Sequence, residues 1–275
     1  MRRLVVGCGY LGERVARRWR NAGDEVYATT RGQRAEALSR AGLLPLTLDV
    51  TRRPWSAVLP TVDTVVFAVG RDRHAGTTMR EIHNTGLGAV LDGLGESAVR
   101  VIYVSSTGVY GQNAGEWVDE RSVCDPVTDG GRACLAGERL LLAHARGRDA
   151  VVLRMAGLYG EGRAPLADDV AAGRVIVGSP DAYLNLIHVE DAAGAVVAAA
   201  AVEQAARRTF VVSDGHPPTR GEYVRRLAAA RGVAPPPFAG GSGLGKRARN
   251  LRVVKAMGLE LQYPSYREGL AQEVS

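Results

Sequence analysis

The opening residues, MRRLVVGCGYLGERVARRWRNAGDEVYATTR, constrain the fold more than any other part of the chain. An apolar run, Leu4-Val5-Val6, leads into Gly7-Cys8-Gly9-Tyr10-Leu11-Gly12. A helical pattern follows through Val15, Ala16 and Trp19, and a second apolar segment, Val26-Tyr27-Ala28, closes the unit. G-x-G-x-x-G spacing alone carries little weight, but strand, glycine turn, helix and strand in that order carry much more. Gly7 is expected to make the tight turn off the strand. Gly9 would let the backbone approach a diphosphate, and Gly12 would let the helix pack closely on the sheet. The diphosphate belongs at the helix start, with Tyr10 and Leu11, where free N–H groups and the dipole favour an anion. The alternative is a strand-to-helix turn with a structural role only.

The end of the second strand bears on which dinucleotide would bind. A site for the unphosphorylated ribose usually carries Asp or Glu about 20 residues on, to accept from the 2′-hydroxyl. Here that place is Ala28-Thr29-Thr30-Arg31, with no carboxylate, while Asp24 and Glu25 precede the strand. An arginine with hydroxyl neighbours binds a 2′-phosphate through charge-assisted hydrogen bonds. Arg31, supported by Thr29, Thr30 and Arg34, therefore points to NADP(H). The alternative for Arg31 is a solvated loop arginine.

Composition narrows the partners. The chain has 275 residues, 46% of them hydrophobic and 23% charged, with a net charge of +6, which suits a globular domain with a sizeable core. Its arginines (Arg2, Arg3, Arg14, Arg17, Arg18, Arg20, Arg52 and Arg53 among them) are scattered, and aromatics are only 5%. That argues against a single-strand nucleic-acid platform and suits an anionic cofactor and an anionic small-molecule substrate. Cys8, Cys124 and Cys134 make no metal-type spacing with the histidines, so no metal site is expected. The longest apolar tract, Ala192 to Val202, is too short to span a bilayer. It is expected to be a buried helix. With no leader pattern at the start, a cytoplasmic protein without a membrane partner is expected, as monomer or homodimer.

Strand and helix patterns alternate through the first two thirds. Strands are predicted at 44–48, 64–69, 100–105 and 150–154, with helices at 35–40, 77–94 and 132–146. That order predicts βαβ units and a parallel sheet with helices on both faces. The class is α/β, a doubly wound sheet whose ligands lie beyond the strand carboxyl ends. Residues 1–158 are assigned to a Rossmann-like cofactor domain. Residues 159–275 are assigned mainly to a smaller C-terminal substrate lobe, with some segments returning to the first domain. Pro235-Pro236-Pro237 and the GGSGLG that follows predict a mobile stretch.

Several motifs together resemble the extended short-chain dehydrogenase/reductases, the NAD(P)-dependent epimerase/dehydratase family. They are GCGYLG, LDVT, VIYVSSTGVYG, LAGERLL, VVLRMAGLYGEG and LNLIHVEDAAGAV, followed by KRARNLRVVKAMGLELQYPSYREGL, which is similar to the tails of a bacterial subgroup of atypical members. The resemblance covers nearly the whole chain. It implies that Asp49 lies near the adenine amino group with Val50 packing on the ring. Ala68, Val69 and Gly70 would line the cofactor's ribose, and Asn84 would occupy a place of structural use.

In that family a strand-end Ser or Thr, a Tyr and a Lys do the chemistry, the Tyr acting as general acid/base and the Lys four residues on sharing its helix face. The resemblance sets Ser106 on the first position. It sets Gly130 where Tyr belongs and Cys134 where Lys belongs, so the usual proton relay and ribose clamp are missing. Three readings stay open. The chain is a reductase or epimerase using another acid, with Tyr110, Cys134 and His188 as candidates beside Ser106. Or it is a non-catalytic NADP(H) sensor or scaffold. Or it keeps the cofactor for a reaction in which binding and orientation supply most of the rate. His188 also reads as a core or helix-capping partner, Asp191 as a helix-start residue, Cys8 as a small apolar filler, Arg132 as a solvated helix-start arginine, and Ser106 as a hydroxyl satisfying the strand end.

Overall fold

The computed structural model describes residues 1–52, 58–70, 76–95, 99–205 and 208–272. Arg53 lies outside them. In chain order the elements begin β1 (Arg2–Val6), α1 (Tyr10–Asn21), β2 (Glu25–Thr30), α2 (Ala35–Arg40), β3 (Leu44–Thr47), β4 (Thr64–Phe67), α3 (Leu87–Gly93), β5 (Arg100–Ser106) and β6 (Ala114–Val118). They continue α4 (Asp129–Ala143), β7 (Val151–Met155), β8 (Gly157–Tyr159), α5 (Ala167–Ala171), β9 (Ile176–Val177), β10 (Leu186–His188), α6 (Val189–Ala201) and β11 (Arg208–Val212). The last are α7 (Arg220–Ala230), β12 (Phe238–Ala239), β13 (Gly245–Ala248), α8 (Leu251–Met257) and α9 (Tyr266–Gln272). A π-helical turn, Glu81–Gly86, leads directly into α3.

The main sheet has seven strands in the order β11-β7-β5-β4-β1-β2-β3. β1 pairs in parallel with β2 and β4, β2 with β3, and β4 with β5. The expected doubly wound α/β architecture is therefore what forms. The chain runs outward from β1 through β2 to β3, then returns to lay β4 on the other side of β1. The direction of winding reverses between β1 and β4, and the crevice beyond their carboxyl ends is where such sheets bind ligands. β4, TVVF, is buried throughout, the apolar run of a strand covered on both faces. α1 turns Leu11, Val15, Ala16 and Trp19 inward, the helical periodicity read from the sequence.

The chain divides into two compact units. The first comprises Met1–Val109, Pro126–Arg154 and Ala193–Thr209. Its core joins Leu4, Val6, Val65, Phe67, Leu87, Val101, Tyr103 and Leu141. The second comprises Tyr110–Asp125, Met155–Ala192 and Phe210–Ser275, with a core around Tyr159, Leu186, Tyr223, Leu227, Tyr266 and Leu270. It carries three two-stranded parallel pairs, β10–β8, β12–β9 and β13–β6. α4 begins at Asp129 and not at Arg132, because the Thr128 hydroxyl accepts from the Gly131 amide at 3.1 Å and caps the helix there. No helix among the described residues is long and apolar enough to cross a membrane.

Candidate active site

In the first unit β1 ends in a turn that only glycine can make. Gly7 has φ +91°, and a Cβ there would lie 2.7 Å from main-chain atoms of Ala68 and Val69 at the end of β4. A Cβ on Gly12 would lie 2.2 Å from the Gly7 carbonyl oxygen, so the helix can sit this close to the strand only without one. Gly9 faces open space, with no atom within 4 Å of where its Cβ would be. It occupies the N-cap position of α1, and no side chain caps the helix. Gly9 itself offers no side chain to the first-turn N–H groups, where the positive end of the helix dipole lies.

Side chains brace this turn from behind. The Thr29 hydroxyl of β2 accepts from the Gly7 amide at 2.9 Å. Arg34 donates to the Cys8 carbonyl at 2.7 Å and pairs with Glu13, which also pairs with Arg17. Of the residues expected to support Arg31, Thr29 thus serves the glycine turn, and the Thr30 hydroxyl accepts from the Gly32 amide at 3.2 Å. Arg31 itself is exposed beyond β2 and within electrostatic reach of Asp49. Asp49 accepts from the Thr51 amide and hydroxyl at 2.9 and 2.7 Å. Burial works against its charge, but these bonds, Arg52 and Arg31 hold its carboxyl below the usual range. Val50 is buried against Gly86, where a Cβ would come within 3.0 Å of it. Cys8 is buried, which pushes its thiol up to about 12.

At the end of β5 the Ser106 hydroxyl accepts from the Gly108 amide at 3.0 Å. α4 starts directly against this turn, where a Cβ on Gly131 would lie 2.1 Å from the Gly108 carbonyl oxygen. Gly130 is less confined, its nearest neighbour being Met79 at 3.9 Å. One turn on, Cys134 is buried with its sulfur 3.9 Å from His83 Nε2. The Tyr103 hydroxyl is 2.7 Å from His83 Nδ1. Burial, with Glu138 adding to it, pushes the Cys134 thiol up to about 12, and burial drives His83 down to about 4. At neutral pH the cluster is therefore uncharged. Asn84 belongs to the π-helical turn, and its buried Oδ1 has no hydrogen-bond partner among the described residues.

Two other candidates fall in the second unit. Tyr110 is buried and its hydroxyl donates to the Asp119 carbonyl at 2.8 Å. His188 is buried at the end of β10, its ring 3.6 Å from that of Tyr263 and edge-on to Tyr159 at 5.2 Å. Its Nδ1 accepts from the Glu190 amide at 3.3 Å. Asp191 accepts from the amides of Gln262 and Tyr263 at 2.8 and 2.9 Å. The first unit therefore brings Ser106, Gly130 and Cys134 onto one strand-turn-helix edge, whereas Tyr110 and His188 are each enclosed among second-unit neighbours. Among the described residues no cluster of His, Cys, Asp and Glu suits a metal ion.

The model of the NAD dependent epimerase/dehydratase family matches residues 3–213. The chain belongs to that family. The matched span runs from β1 through β11, so it takes in the glycine turn, the Ser106 edge and His188. A comparison with curated proteins found no match. Among solved structures, a functionally unknown conserved protein from Silicibacter pomeroyi is 25% identical, with a TM-score of 0.76 over 99% of this chain and 97% of that one. A Methylobacillus flagellatus protein, named as a candidate NAD-dependent epimerase/dehydratase, is 28% identical, with a TM-score of 0.79 over 99% and 97%. UDP-glucuronic acid 4-epimerase from Bacillus cereus, solved with UDP-glucuronic acid and NAD, has a TM-score of 0.83 over 100% and 98%. At 16% identity it shows the shared fold alone.

Within this epimerase/dehydratase frame, sequence reasoning missed the groups that hold α4 in place. Arg154 of β7 makes a two-pronged ion pair with Glu138 of α4, at 2.7 Å from Nη2 to Oε2 and 3.0 Å from Nε to Oε1. Ser105 donates to the same carboxylate at 2.6 Å, and all three are buried. The signal was present: an arginine inside VVLRM, an otherwise apolar buried strand, demands a partner.

Proposed function

We propose that the chain binds NADP(H) at the glycine turn and acts as an oxidoreductase on a small anionic molecule, with Ser106 holding the reacting oxygen. The observation that carries this is the uncapped start of α1, lying over glycines whose packing leaves the backbone open at Gly9. A diphosphate suits that cradle, because its charge meets the positive end of the helix dipole where Gly9 leaves room for it. Gly7, Gly9, Tyr10, Leu11 and Gly12 would hold the diphosphate. Thr30 and Arg31 would take the ribose phosphate, Asp49 and Val50 the adenine, and Ala68, Val69 and Gly70 the ribose. Bound there, the nicotinamide supplies or accepts hydride. The preference for the phosphorylated cofactor rests on Arg31, where a carboxylate would repel a 2′-phosphate.

Ser106 orients and polarises, since a lone serine does not release a proton readily at neutral pH. The other candidate acids are poorly supplied for the task. The Tyr110 hydroxyl is committed to Asp119, His188 is enclosed by rings, and the Cys134 thiol stays protonated. Water or the substrate would then close the proton path. UDP-glucuronic acid, held by the Bacillus cereus enzyme, guides the first substrate panel. A second reading, an NADP(H) sensor without turnover, is favoured by one observation: Gly130 offers no side chain and the Cys134 sulfur lies against His83. In either case the protein works in the cytoplasm, as monomer or homodimer, without nucleic-acid or membrane partners.

Fluorescence titration should show NADPH binding about tenfold or more tightly than NADH, a difference Arg31→Ala largely erases. Equal affinities would overturn the cofactor assignment. Exchange from 4-deuterated NADPH into carbonyl and sugar-nucleotide substrates separates the two readings. With a substrate in hand, Ser106→Ala should leave cofactor affinity unchanged and lower turnover about tenfold. No exchange, together with a protein captured only when NADPH is present, would establish the sensor.

A further inference from the structure

The chain contains thirty-three arginines but only two lysines, Lys246 and Lys255. Lys255 is an exposed residue of α8. Lys246 lies on β13 in the second unit, and its ammonium is partly buried, donating to the Tyr110 carbonyl at 2.8 Å. That is one neutral acceptor for a group with three N–H donors and a full charge. Among the described residues no carboxylate pairs with it. The buried cations Arg3 and Arg154 are paired with carboxylates, Asp24 and Glu138, whereas the partly buried Arg100 spends its donors on three carbonyls, of Ala199, Ala200 and Val202.

The surroundings raise the positive potential further. Arg247 lies between the rings of Trp117 and Tyr183, at 4.8 and 4.9 Å, and Arg249 lies over Trp117 at 5.3 Å. Neither has a carboxylate partner among the described residues. Alternation along the strand sends these arginines to the aromatic face and Lys246 to the other. The strand around Lys246 is pinned in place. The Asn185 amide donates to the Lys246 carbonyl at 2.9 Å, and the Gly245 amide donates to Asn113 at 3.1 Å. A partly buried cation on a fixed strand, with donors to spare and positive neighbours, is built to receive an oxyanion.

We propose that Lys246 is a substrate-binding residue whose ammonium takes a phosphate or carboxylate group of the substrate. This rests on the reading of the chain as an enzyme of a small anionic molecule. Burial lowers the proton affinity of the amine, and a bound anion would restore it. An arginine, with its wide planar fork, would not present the same compact charge at this position.

The two lysines make the test direct. Protein labelled with 13C-lysine gives one Cε signal from each, and both can be followed through a pH titration at saturating NADPH. Inorganic pyrophosphate and malonate serve as the phosphate and carboxylate probes. The expected result is that one probe moves the Lys246 signal, leaves Lys255 in place, and raises the Lys246 midpoint by about one pH unit. A response to pyrophosphate alone assigns a phosphate, and a response to malonate alone assigns a carboxylate. A response to NADPH itself would overturn the assignment to substrate. So would silence toward both probes, or equal movement of both lysines. NADPH affinity, read separately by fluorescence, shows whether the cofactor reading has failed instead. Lys246→Gln should weaken the effective probe at least tenfold, and a variant that is less stable but binds the probe unchanged would also refute the role.

Discussion

The first unit contains the same strand-glycine-helix joint twice, at the ends of β1 and β5, and the two joints are finished differently. In both, a helix glycine packs against the carbonyl of a turn glycine, Gly12 on Gly7 at 2.2 Å and Gly131 on Gly108 at 2.1 Å from the position a Cβ would take. Both helices therefore press on their strands as closely as the backbone allows. The difference lies at the cap. α1 starts at Gly9, an N-cap that makes no side-chain cap bond, whereas α4 starts at Thr128, whose hydroxyl takes the Gly131 amide. The proposed reading gives the first helix start to the cofactor diphosphate, while the other is closed by its own chain. The two joints share their geometry, and the cap is what distinguishes them.

The shared part of the comparison breaks first. Gly12→Ala and Gly131→Ala each place a methyl group inside a main-chain contact and should each cost about 3 kcal/mol of unfolding free energy, or prevent folding. Only the first should abolish NADPH binding in whatever folded protein remains. Thermal unfolding with and without NADPH checks both.

The uncharged cluster behind the second joint gives a pH dependence. His83 is held neutral to about pH 4 by burial, while in the unfolded chain it protonates near 6.5. Below 6.5 the unfolded state binds the extra proton, so stability is full above that value and falls as the pH drops from 6.5 toward 4. The loss is a few kcal/mol. Urea unfolding between pH 7 and 4 measures the slope, and His83→Gln should flatten it. An unchanged slope would mean that other groups carry the acid sensitivity.

The difference at the caps can be inverted. The Cβ of Gly9→Asp would meet no atom within 4 Å, and its carboxylate would supply α1 with the side-chain cap that Gly9 lacks. Stability should hold or rise by a few tenths of a kcal/mol, while NADPH affinity falls at least tenfold because a carboxylate occupies the anion's place. Loss of stability with binding retained would refute the account of the open helix start. The smallest effect is the converse: Thr128→Ala should cost about 1 kcal/mol and leave NADPH affinity untouched.

Much of this was legible in the sequence where local rules act alone. The glycine spacing placed the β1 turn, the alternation of patterns gave the parallel sheet, and Ala35–Arg40 emerged as a helix within its expected bounds. What was illegible depends on partners distant in the chain. Thr29 looked like a neighbour of Arg31, yet its hydroxyl meets Gly7, twenty-two residues away along the chain. The helix expected over 77–94 contains a π-helical turn at Glu81–Gly86, a change of hydrogen-bond register that periodicity does not reveal. Cys134 stands at the family's Lys position and reads there as a candidate acid. Its contacts with His83 and Tyr103 arise from packing between the π-helical turn, β5 and α4, which no motif encodes.

The buried bridge from Arg154 through Glu138 to Ser105 ties α4 to two strands of the sheet at once. Releasing that helix alone would strand a guanidinium and a carboxylate away from water, so local opening there should be as rare as loss of the whole unit. The amides of α4 would then exchange with deuterium only at the rate of global unfolding. A helix anchored in this way holds its position whatever residues occupy its first turns. Gly130 and Cys134 thus stand on a mounting that outlasts the chemistry carried on it, and that makes them natural places to install a new function.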